Sequence, residues 1–196
     1  MFDLRNHGES EYSNNKQCGV GMFEYHDVIG AMRYIKSRDD LKNLEIGFVS
    51  FCTGANATIV AMSKEKEVMA DAKCLLAVQP VTLETFVRSY IKSSFTKLGV
   101  WTVFPLVKRF INWQCKYKAI DQSPRDYVKD INVPVLYIQA RSDPWTELSD
   151  VENFYEKSPE PKELFILEGD LERFDTYNYV GEQPEKMLSF LENNWK

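Results

Sequence analysis

The stretch from Ile46 to Met62, IGFVSFCTGANATIVAM, leaves this chain few ways to fold. A mostly apolar run, IGFVSF, passes through Cys52 straight into a helix-forming segment, TGANATIVAMSKEKEVM. No hairpin dipeptide stands between them. A strand that becomes a helix at once must cross over before the next strand, which then pairs parallel. The alternation recurs. Further buried-strand runs stand at CLLAVQP, PVLYIQA and ELFILEG. Helical spacing fills FEYHDVIGAMRYIKSR, through Phe23, Val28, Ile29, Met32 and Ile35, and again EQPEKMLSFLENNW, with Pro184 in its first turn. These features predict an α/β protein, a three-layer α/β/α sandwich around a mostly parallel sheet, with residues 1–196 in one domain. Neighbouring parallel strands are expected at Ile46–Phe51, Cys74–Val78, Val135–Gln139 and Leu164–Leu167, with Cys52 at their carboxyl end. The opening MFDL reads as the tail of another strand.

Composition narrows the function classes. A net charge of −5 over 196 residues offers no basic footprint for nucleic acid. No apolar run approaches the ~18 residues of a membrane span. MFDLRNHGES turns polar too early for a signal peptide, so a cytoplasmic location is expected. Cys18, Cys52, Cys74 and Cys115 lack Cys-x-x-Cys spacing and only two histidines accompany them, which predicts reduced thiols, no metal and no cofactor. The charge is uneven. Between Phe86 and Asp130 nine Lys or Arg face three acids, a local +6 that leaves −11 for the rest. The same segment holds nine of the 26 aromatic residues, a basic, aromatic insert in an acidic body.

Cys52 raises the chemical question. A turn this short crowds its central residue against those two positions away, so small residues are expected there, and Ser50 and Gly54 occupy those places. The turn would expose the Cys52 side chain at a helix N-terminus, where the dipole and unbonded N–H groups favour a thiolate. Of the other thiols, Cys18 lies in a polar loop and should titrate near the free value of about 8.5. Cys74 opens a buried strand, and Cys115 has Lys116 and Lys118 nearby to lower its pKa.

The small-x-nucleophile-x-small pattern resembles the nucleophile elbow of the α/β-hydrolase superfamily, with cysteine for serine as in its dienelactone-hydrolase-like branch. FDLRNHGES resembles that family's strand-four ending, Asp-x-Arg-Gly-His-Gly-x-Ser, with Asn6 replacing the first glycine. VPVLYIQARSDPWT resembles the strand that delivers the triad acid, and Asp143 falls at the acid position. KELFILEGDLERFDTYNYVG resembles the last strand and histidine loop, and PEKMLSFLENNW the closing helix. Residues from Val81 to about Arg125 sit where the family inserts a helical lid. The resemblance implies Cys52 as nucleophile, Asp143 as acid, the Thr53 backbone N–H as an oxyanion donor, and a small-molecule acyl substrate or ligand. It gives Asp3, Arg5 and His7 to the support of the turn after MFDL; His26, in the helical stretch before the elbow, reads as a structural or surface residue.

Two departures bear on activity. The histidine position reads Arg173, with Glu172 beside it. A guanidinium stays protonated and accepts no proton, and a carboxylate is a weak base for a thiol. The strands that precede strand four in the family are also absent from the sequence, which predicts an N-terminally truncated hydrolase fold with an open sheet edge prone to oligomerise, a fragment of a longer protein in preference to a chain whose missing strands come from a partner. The functional expectation is a hydrolase or acyltransferase acting on an ester or thioester through Cys52. The alternatives are a non-catalytic ligand-binding member or an inactive fragment.

Overall fold

A computed structural model describes residues 1–13, 16–94, 97–115, 118–172 and 174–195. The chain runs α1 (Tyr25–Ser37), β1 (Ile46–Phe51), α2 (Thr53–Lys64), β2 (Ala72–Val78), α3 (Leu83–Ser94) and α4 (Lys97–Cys115). Three short 3-10 turns follow, then β3 (Val135–Ala140), α5 (Leu148–Lys157), β4 (Lys162–Leu167), α6 (Asp175–Glu182) and α7 (Glu185–Asn194). The four strands pair in the order β1-β2-β3-β4, and every pairing is parallel. This is the α/β architecture expected from the strand-helix alternation.

Side-chain alternation along the strands builds the layers. Leu75, Ala77, Val135 and Tyr137 point to one face, where Val28, Met32, Ile59 and Phe154 of α1, α2 and α5 cover them. Cys74, Leu76, Val78, Leu136 and Ile138 point to the other, against Met187 and Phe190 of α7. Both faces of β2 and β3 are therefore buried, which is why their sequences are continuously apolar rather than alternating. β1 is an outer strand and is only partly covered, with Val49 and Phe51 exposed. At Gly47 the Trp195 ring packs so close that a Cβ would sit 2.4 Å from it. Glycine is needed there by contact.

Some sequence expectations change. Met1–Leu4 forms no strand: a β-strand needs a neighbour to take its backbone groups, and this segment is held instead by side chains. The Ser10 hydroxyl donates to the Asp3 carbonyl, and Arg5 donates from its backbone and guanidinium to Asp27 on α1. Asp3 thus ties the turn as expected, whereas Arg5 anchors it to a helix. The helix after the elbow stops at Lys64 rather than continuing to Met69, and Pro184 stands at the N-cap of α7, one place before its first turn. Helices α3 and α4 pack on each other around Val87, Ile91 and Phe104, a small core separate from the sheet. Trp101, Leu106, Phe110 and Trp113 of α4 are exposed.

Candidate active site

The sharpest local feature is the junction of β1 and α2. β1 ends at Phe51 and α2 begins at Thr53, so Cys52 makes the whole turn, with φ 48° and ψ −114°. A side chain with positive φ is strained by roughly 1–3 kcal/mol and persists only where surrounding contacts hold it. Two backbone bonds hold it here. The Cys52 N–H donates to the Val78 carbonyl at 2.8 Å, and the Cys52 carbonyl accepts the Asn56 N–H at 3.1 Å, opening α2. Ser50 is buried and its hydroxyl meets that of Thr58 at 2.9 Å, so the small residue two places before Cys52 is locked to the helix.

Gly54 departs from the crowding argument. A Cβ built there meets nothing within 4 Å. Gly54 lines a cleft, so the space beside it is open and steric need does not explain the glycine.

That cleft has a volume of about 500 Å³. Among the described residues it is lined by the N-terminal segment, α1, β1, the start of α2 and Tyr177 of α6, with Cys52 and Thr53 in its wall. The lining is mostly apolar, from Phe2, Leu4, Val28, Phe48, Val49 and Phe51. Thr53 is the first residue of α2, so its N–H has no acceptor within the helix by geometry. No described residue of α3 or α4 lines the cleft, although the side-chain amide of Gln17 ties the N-terminal loop to the Gln114 carbonyl at the end of α4, at 2.7 Å.

Asp143 is only 8% exposed, in the loop after β3, and is not among the lining of the cleft. One carboxylate oxygen accepts the backbone N–H groups of Trp145 and Thr146, each at 2.7 Å. The other accepts the Gln79 side-chain amide at 2.6 Å. Gln79 itself sits at the end of β2 with φ 49° and also donates to the Thr176 hydroxyl at 3.2 Å. Glu172 is exposed, and its backbone N–H donates to Asp175. Arg173 lies outside the described residues. The Ser142 hydroxyl joins the loops after β3 and β4, donating to the Gly169 carbonyl and accepting the Leu171 N–H. Cys52 and Thr53 thus share the wall of the cleft, and Asp143 sits in a buried hydrogen-bond network with Gln79, whose neighbour Val78 accepts the Cys52 N–H.

Sequence reasoning gave His7 to loop support alone. It does serve there, since its Nδ1 lies 2.8 Å from the Arg5 carbonyl, but His7 also lines the Cys52 cleft. Positive φ at Asn6 (64°) and Gly8 (51°) on either side forms its turn. The signal was present in the sequence as Asn-His-Gly, two residues tolerant of left-handed backbone flanking a histidine. His26 lies in a different groove, against the Tyr25 ring at 4.0 Å.

Two thiol expectations are revised. Cys18 is exposed as a residue, yet burial of its thiol and then the Glu24 carboxylate push its pKa up to about 12. Glu24 is fully buried and accepts the N–H groups of Gly19 and Gly21, which keeps that carboxylate close to the thiol. Cys115 is raised by burial rather than lowered by lysines, and Cys74 is raised by burial as well. Among the described residues no group of three or more His, Cys, Asp or Glu could hold a metal ion, and no helix is long and apolar enough to cross a membrane.

No protein-family model matches the chain. It is 27% identical over 171 residues to the uncharacterized protein YqkD of Bacillus subtilis, which covers 86% of this chain and 53% of that protein. The chain thus spans about half the length of the curated relative it matches. Among solved structures, a Pyrococcus furiosus esterase, Pf2001, superposes with TM-score 0.68 at 21% identity, covering 99% of this chain and 69% of that one. The α/β hydrolase GrgF from Penicillium sp. sh18 superposes with TM-score 0.67 at 19% identity, covering 98% and 78%. An acetyl xylan esterase from Paenibacillus sp. R4 gives TM-score 0.62 at 17% identity, covering 87% and 52%. The chain has the α/β-hydrolase fold.

Proposed function

We propose that this chain carries a hydrolase or acyltransferase site in which Cys52 attacks the carbonyl of an ester or thioester. One observation carries the reading: a non-glycine residue held at φ 48° between a strand and a helix, with a nucleophilic side chain in the wall of a cleft. Strain of that kind clusters at functional sites, and here it sets a half-buried thiol at a helix N-terminus. That three solved structures of the same fold are named as esterases or a hydrolase supports the assignment.

The steps follow from the groups present. The Cys52 thiolate adds to the carbonyl carbon, and the oxyanion meets the Thr53 N–H at the start of α2. The leaving thiolate or alkoxide departs and Cys52 is acylated. Water, or an acceptor nucleophile in a transferase, then releases the acyl group. A thioester suits this chain better than an ester, because a thiolate leaves with less need of protonation than an alkoxide. The apolar lining of the cleft suits an acyl chain rather than a charged one.

Asp143 is proposed as a residue that anchors the loop after β3, since its oxygens already accept three N–H groups. The ligand-binding alternative rests on the sequence, in which Arg173 stands where the resembled family carries its histidine. The two readings separate in one measurement. The protein is incubated with S-phenyl thioacetate and each cysteine examined by mass spectrometry. An acetyl group on Cys52, absent from Cys52→Ala, supports the catalytic reading. An unmodified Cys52 with thiophenol release no faster than in buffer ends it.

A further inference from the structure

We infer that His7, on the turn after the N-terminal segment, is the proton acceptor for Cys52, replacing the histidine that the loop after β4 lacks. This inference rests on the reading of Cys52 as a nucleophile and adds the base that reading needs. Three observations carry it. His7 and Cys52 line the same cleft, brought there by separate parts of the chain. The Nδ1 of His7 lies 2.8 Å from the Arg5 carbonyl. A carbonyl oxygen can only accept, so Nδ1 must carry the proton, and in the neutral ring Nε2 is left with its lone pair. The carbonyl thus does for His7 what an orienting carboxylate or amide does in other nucleophile–base pairs.

The third observation is how firmly the turn is held. The Asn6 side chain accepts the Ser13 N–H at 2.7 Å and donates to the Gln17 carbonyl at 2.9 Å. Gly8 is at φ 51° with the Asp3 carboxylate where a Cβ would stand, 2.1 Å away. Arg5, whose carbonyl orients the ring, is fixed to Asp27 through its guanidinium at 2.7 Å. These contacts fix the backbone that carries the imidazole on both of its sides.

The other titratable groups around the cleft fit the role less well. The described titratable side chains in its lining are Asp3, His7, Cys52 and Tyr177, and the nearest charge pair is Arg5 with Asp27. Asp3 is engaged by the Glu9 N–H at 3.3 Å, and a carboxylate is a poor match for a thiol. Tyr177 packs edge-on against Phe51, and a phenol is an acid rather than a base at neutral pH. Among these side chains the imidazole is the one that exchanges protons near pH 7.

The cycle balances through one nitrogen. Nε2 takes the Cys52 proton, and the thiolate attacks the acyl carbon. The bond to the leaving sulfur or oxygen breaks, and the leaving group takes the proton from the imidazolium. Water then gives a proton to Nε2 as its oxygen attacks the acyl-cysteine. Cys52 leaves as thiolate and recovers that proton. Nucleophile–base pairs are often looser than hydrogen-bond range without substrate and tighten on binding.

The test uses burst kinetics with S-phenyl thioacetate on wild type, His7→Asn and His7→Gly. Asn keeps a donor for the Arg5 carbonyl and removes the acceptor nitrogen. Steady-state turnover should fall by about 100-fold or more in both variants, within the range a general base contributes. The thiophenol burst should be slow at neutral pH and recover in alkaline buffer, where the thiol ionises without help. Added imidazole should restore turnover to His7→Gly, which a purely structural role would not allow. Variant turnover within about threefold of wild type overturns the inference. So does loss that imidazole does not rescue, or a wild type that acylates at Cys52 and never turns over. Cys52→Ala that keeps full turnover instead removes the nucleophile reading, a separate result from any of these.

Discussion

Two strand ends at the same edge of the sheet are built from similar parts and offer opposite chemistry. At the end of β1, Cys52 takes positive φ and lines a cleft of about 500 Å³. At the end of β2, Gln79 takes almost the same φ, 49°, yet is buried and spends its amide on Asp143 and Thr176. Backbone strain therefore does not by itself mark a nucleophile. In one place it sets a half-buried thiol in the wall of a cleft. In the other it turns a neutral donor inward to close off a carboxylate, which in turn caps the backbone of Trp145 and Thr146.

The largest effect should come from opening the closed end. Asp143→Ala leaves two backbone N–H groups and one side-chain amide without their acceptor, at a cost of about 3 kcal/mol. For a chain of this size that lowers the melting temperature by roughly 6–12 °C. If Asp143 only anchors its loop, the alkylation rate of Cys52 in the still-folded variant stays near wild type. A rate that collapses while the melting temperature holds would reassign Asp143 to the catalytic machinery and erase the contrast.

A second measurement sharpens the thiol side. With its pKa pushed up to about 12, Cys18 should alkylate at pH 8 at least ~100-fold more slowly than a free cysteine. Site-resolved iodoacetamide labelling should then find Cys52 first, ahead of Cys18, Cys74 and Cys115, all three of which are raised by burial. Cys18 labelling as fast as a model thiol would break this ordering. The same shift has a stability sign. A thiol raised above its ordinary 9.0 keeps its proton in the folded state after the unfolded chain has lost it. Its stabilising contribution is complete below about pH 9 and is lost as pH rises toward 12. Alkaline denaturation profiles of Cys18→Ser should accordingly be flatter across that window than those of wild type.

The smallest expected effect is at Gly54. With open space where its Cβ would be, Gly54→Ala should leave the fold intact and stabilise α2 by up to about 1 kcal/mol, read from chemical denaturation. A loss of more than that would restore the crowding argument. Activity is the finer readout here, because the added methyl projects toward the cleft that Gly54 lines.

The strand-helix alternation, the four strands and their parallel pairing were legible in the sequence because each rests on local periodicity and on the absence of hairpin turns. Boundaries moved by one or two residues at β2, β3 and β4, where the apolar run is shorter than the paired backbone. The elbow was legible too, since a strand running directly into a helix leaves one residue to make the turn. Met1–Leu4 misled for the opposite reason. Its apolar character suits a strand, but strand identity depends on a partner's backbone groups, which no local pattern contains.

What the sequence determined by itself was therefore the architecture and the chemical identity of the residue at the end of β1. Tertiary structure alone decided which groups share its cleft. Asp143 is 91 residues from Cys52 and His7 is 45, and neither spacing reveals which of them faces the thiol. Hydrogen bonds made in the fold tell the two apart: the Asp143 carboxylate accepts from Gln79, Trp145 and Thr146, whereas His7 lines the cleft and its Nδ1 meets the Arg5 carbonyl. Such accounting needs the positions of donors and acceptors that are distant in the chain, and only the folded backbone supplies them.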